Sequence, residues 1–338
     1  MARRRGHRDP GRPSQPERSV ALAGVVDPAW PAIRYPDGGV SAAGFAELVG
    51  DLVDAGSREH YADAALYDYE YRRRRADVTF YRELARRRGA DRILELGAGT
   101  GRVTVPLARD GRRVVAVDRS PEMLDRLRDR IARLPTAVAA RITPALGDLR
   151  DFSVAGRFPL AVAAFNVVEH LYTRGEVTAF LQRIAAHLEP GGALAFDVQL
   201  PDLAWLTRDS TRRWAKTRFT DPTTGRVMYY STNHDYDPIS QIVLIRLFYE
   251  PVEPDGPDEG ATRPRRDGPG GAPATRVVQL SQRKFFPAEL EALVAHAGFR
   301  VTARYGDFYF RPLDAAADSQ VLVCEPVPKP PRKRPVSR

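Results

Sequence analysis

The sequence predicts an α/β fold, a doubly wound, mostly parallel sheet of seven strands with an inserted small antiparallel β-sheet. Three observations predict it. Between residues 91 and 199, short and almost wholly apolar runs alternate with amphipathic helical stretches, as in a parallel sheet covered on both faces. After Gln199 that rhythm gives way to β-branched and aromatic runs separated by turn residues. From Pro287 a helix and two strands complete the first pattern.

The elements follow in order. Residues 1–40 read as a disordered basic and Pro-rich lead-in, and 41–90 as an N-terminal helical cap in which Phe80, Tyr81, Leu84 and Ala85 fall at helical spacing. The core at 91–199 has expected strands at Arg92–Leu96, Arg113–Val117, Arg141–Leu146, Leu160–Phe165 and Ala193–Val198. Helices are expected between them at Arg102–Arg109, Pro121–Leu134 and Glu176–Leu188, the second with Ser120 as cap and Pro at its first position. The insert, 200–286, reads as a hairpin of Arg226–Tyr236 and Gln241–Glu250 about Asp237-Pro238, then a Pro/Gly-rich flexible loop at 251–275 and a third strand at Arg276–Phe286. Residues 287–325 complete the sheet with a helix at Pro287–Ala297 and strands at Phe299–Tyr305 and Gln320–Glu325; 326–338 read as a disordered basic tail.

Composition narrows the function classes. The chain has 338 residues, 43% of them hydrophobic, enough to bury a full core. Its net charge is +9, of which residues 1–18 carry +4 and residues 326–338 carry +5, leaving 19–325 neutral. A nucleic-acid enzyme usually carries a basic stripe on its folded body, so nucleic acid is the disfavoured partner. Cys324 is the lone cysteine, which excludes an intrachain disulfide and a multi-Cys metal site, and its apolar strand setting points to a buried core thiol. The one apolar run behind the N-terminal arginines, Val20–Val26, is closed by Asp27-Pro28, and no segment is long enough to span a bilayer. A cytoplasmic protein without membrane contact is expected.

The chemistry centres on Ile93-Leu94-Glu95-Leu96-Gly97-Ala98-Gly99-Thr100-Gly101-Arg102, a strand running through a glycine turn into a helix. Such a turn lets a ligand approach the backbone and the helix N-terminus. The dinucleotide fingerprint needs a small residue where Arg102 stands, and a phosphate-binding loop needs a Gly-Lys-Ser/Thr that is missing, so both readings fail. The stretch instead resembles the first motif of class I (Rossmann-like) S-adenosylmethionine-dependent methyltransferases of the small-molecule type. The resemblance extends over roughly residues 60–325. Val114–Asp118 is similar to the second motif, Arg119–Leu124 to the segment after it, Gly147-Asp148-Leu149 to the third and Phe165–Leu171 to the fourth. Leu188–Gly192, Phe285–Leu290 and Ala297-Gly298-Phe299 resemble the turn before strand five and the last helix and strand.

What the resemblance implies is a bound S-adenosyl-L-methionine held by Glu95, Gly97, Ala98, Gly99, Gly101, Asp118, Arg119, Met123, Asp148, Leu149 and Asn166. Asp118 would take the two ribose hydroxyls, a task suited to the two oxygens of a carboxylate. Met123 would pack on the adenine, with core filling as its other reading. Asp148 would accept from the adenine amino group, or be a surface turn acid. From the helical cap, one Tyr or Arg of 61–75 would reach the methionine carboxylate. Tyr69 and Arg75 are the candidates, the alternative being a solvated arginine face.

The acceptor is less determined. The fourth motif is Asn166-Val167-Val168-Glu169 rather than the Asn-Pro-Pro-Tyr type of amino-methylating enzymes acting on adenine or glutamine, and no cysteine follows strand four for cytosine C5 chemistry. A nitrogen or oxygen atom of a small-molecule methyl acceptor is therefore expected. Glu169 and His170 lie where the chemistry must occur: either Glu169 opens a helix and His170 packs beneath it, or His170 is a base, or the pair is a metal site. Two adjacent ligands without a third are weak evidence for a metal, and none is expected. Tyr230 and His234, read at the tip of the insert hairpin, could line the acceptor pocket or be ordinary turn and edge residues. An insert leaving the carboxyl end of strand five is placed to act as a lid that excludes water. The competing readings are an RNA or protein methyltransferase working through the basic tails and a non-catalytic cofactor-binding module; the sequence leaves the oligomeric state open. Because residues 251–275 offer almost nothing to bury, excising 255–272 should leave S-adenosylhomocysteine affinity and thermal stability nearly unchanged, as measured by calorimetry.

Overall fold

The computed structural model describes residues 50–252 and 275–328. The expectations for 1–40, for most of the loop at 251–275 and for most of the tail at 326–338 lie outside the described residues. In chain order, helix α1 (described part 50–56) precedes α2 (Glu59–Ala62), α3 (Ala64–Tyr71) and α4 (Ala76–Arg87). Then come β1 (Arg92–Leu96), α5 (Thr104–Arg109), β2 (Arg113–Asp118), α6 (Pro121–Ile131), α7 (Thr136–Ala139), β3 (Ile142–Leu146) and β4 (Phe158–Ala163). A 3-10 turn (Val167–His170) leads to α8 (Arg174–His187), β5 (Leu188–Gln199), α9 (Leu203–Leu206), β6 (Trp214–Thr220), β7 (Val227–Asp237), β8 (Ile242–Pro251) and β9 (Arg276–Arg283). The described chain closes with α10 (Pro287–His296), β10 (Phe299–Tyr305) and β11 (Ser319–Pro326).

These elements form two compact units, one of the described residues up to Arg73 with Asp202–Gln282, the other of Arg74–Pro201 with the described residues from Arg283 onward. The larger unit holds the seven-stranded sheet in the order β10-β11-β5-β4-β1-β2-β3. Strands β1 to β5 are parallel, and β11 and β10 run antiparallel at the edge beyond β5. Apolar residues of the central strands point to both faces, so two cores form. Leu94, Leu96, Phe180, Ile184, Phe196 and Phe299 pack on one side; Phe80, Tyr81, Ile93, Leu107, Leu127 and Val321 pack on the other. Cys324 is fully buried in β11, and burial pushes its thiol up to about 12, which keeps it inert. Ser120 caps α6 as expected, its hydroxyl accepting from the Met123 N–H at 3.2 Å.

Three differences from the sequence reading have physical causes. Strand β4 ends at Ala163, not Phe165, because the Phe165 and Asn166 amides turn away from the ladder to a side chain on β5. Helix α8 begins at Arg174, not Glu176, because Thr173 and Glu176 form a capping box, with Glu176 N–H to Thr173 Oγ1 at 3.1 Å and Thr173 N–H to Glu176 Oε2 at 2.9 Å. The insert has four strands rather than three, the addition being β6, an edge strand exposed at most positions and so lacking an apolar alternation.

The smaller unit carries the sheet β6-β7-β8-β9. Its core joins Leu66, Leu247, Tyr249, Val278 and Leu280, with Tyr61, Phe219, Met228, Tyr230 and Ile245 partly buried against them. Helix α1 lies on β9: Ser281 Oγ donates to Val53 O at 2.7 Å, and a Cβ on Gly56 would stand 2.6 Å from Ser281 N. Burial, with the charge of Arg276 adding to it, lowers the His60 imidazole to about 4, so it sits neutral among Tyr61, Tyr67 and Tyr71. No described helix is long and apolar enough to cross a membrane. Thr173→Ala should cost about 1 kcal/mol by breaking the capping box, seen as a fall of a few degrees in the thermal midpoint, about 2–4 °C.

Candidate functional site

The switch point of the larger sheet is β1, which pairs with β2 on one side and β4 on the other. Ligands of open α/β sheets bind at the carboxyl ends on such a crevice. Just past Leu96 the chain enters the glycine turn, with φ of +64° at Gly97 and +55° at Gly99, a region that strains other residues. A Cβ on Gly97 would stand 2.4 Å from Val167 Cγ2, so the 3-10 turn after β4 packs directly on it. Around Gly99 nothing lies within 4 Å of a Cβ position, so its outer face is open. Asp118, the last residue of β2, ties this turn down: its Oδ2 accepts from the Gly99 N–H at 2.7 Å and its Oδ1 from the Ser120 N–H at 2.9 Å. Burial raises the Asp118 carboxyl above the usual range, the amides of Ser120 and Gly99 opposing it only in part. Arg119 is half-buried beside it, and its positive charge also favours the carboxylate. Beneath the turn, Glu95 is buried and accepts from Thr104 Oγ1 at 2.7 Å, joining β1 to α5.

The exit of β4 is held the same way. Phe165 and Asn166 have φ of +71° and +59°. Asp197 of β5 accepts the Phe165 N–H at 2.8 Å on Oδ1 and the Asn166 N–H at 3.1 Å on Oδ2, while Tyr81 donates its hydroxyl to Oδ1 at 2.6 Å. The Phe165 ring lies 4.6 Å from the Arg74 guanidinium and 4.8 Å from that of Arg102. Arg102 is engaged by buried Asp77 through two contacts of 2.5 and 2.8 Å; Arg74 is exposed and has no ion pair among the described residues. Glu169 is fully buried. Its Oε1 accepts from the Gln199 N–H at 2.7 Å and its Oε2 from Lys284 Nζ at 2.7 Å, with Lys284 also 3.0 Å from Gln199 Oε1. Burial pushes the Glu169 carboxyl up, and Lys284 offsets this only in part. His170, the next residue, is half-buried, with Nδ1 3.2 Å from the Tyr172 hydroxyl.

The carboxyl ends of the strands therefore bring together Glu95, Gly97, Ala98, Gly99, Gly101, Asp118, Arg119, Asn166, Glu169 and His170. At the end of β3, Asp148 is engaged by Arg150, which contacts both oxygens at 2.7 and 2.8 Å and reaches Glu176 at 2.8 Å. Burial would raise the Asp148 carboxyl, but those bonds outweigh it and hold it below the usual range. Leu149 packs on the core and Met123 is buried. Tyr69, Tyr230 and His234 belong to the smaller unit. Tyr69 lies under the Arg72 guanidinium, 3.6 Å from its ring centroid. Tyr230 and His234 are not at a hairpin tip: both lie within β7, opposite Tyr249 and Ile245, because the β7–β8 ladder runs on to Asp237↔Ile242. His234 is buried, stacked on Trp205 at 3.9 Å with Nε2 2.8 Å from the Trp205 carbonyl, and burial lowers its pKa. Arg75 is exposed and precedes α4, whereas its neighbour Arg74 reaches the site. Asp77, Asp197 and Lys284 escaped the sequence reading, and Tyr81 was read only as a position of the helical cap; for Asp197 the signal available was a charge inside an apolar run, Ala195-Phe196-Asp197-Val198.

A family profile described as a methyltransferase domain matches residues 93–192, the stretch from β1 into β5 that builds these strand ends. Residues 93–192, under a third of the chain, are thus similar to a methyltransferase domain. The solved CcbJ methyltransferase of Streptomyces caelestis superposes with a TM-score of 0.59 at 25% identity, over 75% of this chain and 90% of that one. An uncharacterized methyltransferase of Mycobacterium tuberculosis is 40% identical over 127 residues, 38% of this chain and 44% of its own. The cypemycin N-terminal methyltransferase of a Streptomyces species is 38% identical over 110 residues, 32% and 42% of the two chains. The chain thus spans less than half the length of these curated relatives. S-adenosylmethionine is the cofactor of the methyltransferase class.

Burial raises the Glu95 carboxyl from the ordinary 4.5 to about 7, with the Thr104 hydroxyl and the charge of Arg102 opposing it. Between those values the folded chain keeps a proton that the unfolded chain has released. This contribution to stability therefore falls as pH rises through the window and levels off above about 7. Glu95→Gln should remove the fall, gaining up to about 3 kcal/mol on the wild type across the window, read from urea midpoints. Parallel profiles would mean that the carboxyl ionises normally.

Proposed function

We propose that this chain transfers the methyl group of S-adenosylmethionine to a nitrogen or oxygen atom of a small-molecule acceptor. The observation that carries the reading is Asp118 at the end of β2, clamped to Gly99 N–H and Ser120 N–H beside the open face of Gly99. Each carboxylate oxygen there retains a lone pair for a further donor, which fits two vicinal hydroxyls. Arg74, held over Phe165 and without an ion pair among the described residues, is the guanidinium we assign to the cofactor's carboxylate in place of Arg75. When bound, S-adenosylmethionine supplies an electrophilic methyl group on a sulfonium.

The chain's own residues would bind, orient and manage one proton. An amine acceptor attacks through a neutral lone pair, so the protein needs only to receive the proton released. His170 is the candidate for that task, its Nδ1 beside the Tyr172 hydroxyl. Glu169 is committed to Lys284 and Gln199 and serves to fix the turn that carries His170. His234 and Tyr230 play no part in this proposal: the first is buried against Trp205, and burial followed by the charge of Glu70 raises the hydroxyl of the second well above the usual range.

S-adenosylhomocysteine at about 100 times its dissociation constant should stabilise the fold by about 2.7 kcal/mol. Asp118→Ala should lose most of the resulting shift in thermal midpoint. Equal shifts in the two proteins would remove the basis of the assignment. Screening amines and phenols for S-adenosylhomocysteine release would then identify the acceptor.

A further inference from the structure

We propose that Asp197 is a positioning residue of the methyl-transfer site, holding Phe165 and Asn166 in the left-handed backbone that seats Val167 against Gly97 and Phe165 under Arg74. The inference rests on the methyltransferase reading and assigns to that site a residue outside its strand-end motifs.

Asp197 is a carboxylate in the wrong place for charge. Asp197 is 1% exposed, lies among apolar neighbours on β5, and has no ion pair among the described residues. An anion so buried is costly unless donors surround it. It has three: the amides of Phe165 and Asn166 and the hydroxyl of Tyr81. Two of these come from consecutive residues whose φ values, +71° and +59°, ordinary L-residues avoid. Asn166 tolerates this region better than most residues, but Phe165 does not, so sequence preference alone does not select the pair. A carboxylate presenting one oxygen to each of two adjacent amides rewards the left-handed pair and no extended alternative. The turn is also the part of the β4 exit that touches the cradle, through Val167 on Gly97 and through the Phe165 ring with its two guanidiniums. If the turn relaxes, Val167 leaves the notch and Arg74 loses its platform.

The test is S-adenosylhomocysteine affinity by calorimetry, with thermal midpoints recorded in parallel on the full chain. Asp197→Asn keeps the shape but offers one acceptor oxygen instead of two, and should weaken binding at least tenfold. Asn166→Gly and Asn166→Ala both delete the side chain, but only glycine accepts the left-handed region freely. The glycine variant should bind about fivefold more tightly than the alanine variant, and the same order should hold in the Asp197→Asn background. Asp197→Asn with a lowered midpoint but wild-type affinity would overturn the proposal, leaving Asp197 a stabilising residue only. Equal affinities for the glycine and alanine variants would overturn it too, and this pair decides the matter if Asp197→Asn fails to fold. A wild-type chain that binds no S-adenosylhomocysteine would overturn the methyltransferase reading itself, an outcome distinct from the other two.

Discussion

Two carboxylates, each near the end of a strand, reach sideways and grip the loop that leaves the neighbouring strand. Asp118 on β2 takes the Gly99 amide of the β1 exit, and Asp197 on β5 takes two amides of the β4 exit. Strands β1 and β4 are themselves paired at the switch point, so the two gripped loops face one crevice and meet where Val167 packs on Gly97. Amide N–H groups at strand ends have lost their ladder partners, and a buried one left unpaired is expensive. Spending a carboxylate on each solves that problem and sets the loop conformation. Around this pair the other polar contacts act as braces: Glu95 to Thr104, Asp77 to Arg102, and Lys284 to Glu169.

How much of this was legible depends on the distance over which each contact is made. Gly99 of the glycine turn and Asp118 are separated by 19 residues within one β-α-β unit, so their spacing carries the information. Asp197 finds its partners 31 to 116 residues away, and nothing near it in the chain distinguishes it from a misplaced acid in a core strand. Lys284 is hidden likewise, since its partner Glu169 lies 115 residues earlier. The start of α8 was readable, for Thr173 and Glu176 spell a capping box; the periodic apolar pattern simply begins later than the cap. Strand β6 was not readable, because Lys216, Thr217 and Arg218 are all exposed and alternation never appears. Arg74 and Arg75 are identical to a pattern reader, and only the fold tells them apart.

The smaller unit follows a different logic. Its sheet is covered on one face by a small mixed cluster, mostly aliphatic where it is buried and mostly aromatic around that centre. Tyr249 donates its hydroxyl to Glu70 at 2.6 Å, and Arg276 contacts Asp63 at 3.0 Å, so α3 is fastened to the strands by polar bonds at the rim of that cluster. The Arg246 guanidinium bridges Asn233 and Asp235 along β7, each at 2.7 Å. Polar residues that look like candidate catalysts in a one-dimensional reading are here the cross-strand ties of a small sheet. A tyrosine- and histidine-rich insert is therefore weak evidence for a reactive site.

The position of β11 has a consequence for how the chain is made. Residues Ser319–Cys324 pair with Gln199–Leu194, so β11 covers the flank of β5 that β4 does not. About 120 residues separate the end of β5 from the start of β11, and all four strands of the smaller sheet are emitted between them. At about 5–20 residues per second, roughly 6–24 s pass between the emergence of the two strands. During that interval Leu194, Phe196 and Val198 belong to a strand with one open side, the arrangement that recruits stray strands from other molecules. The hazard is one of timing on the ribosome, and it ends only when the last strand of the sheet arrives.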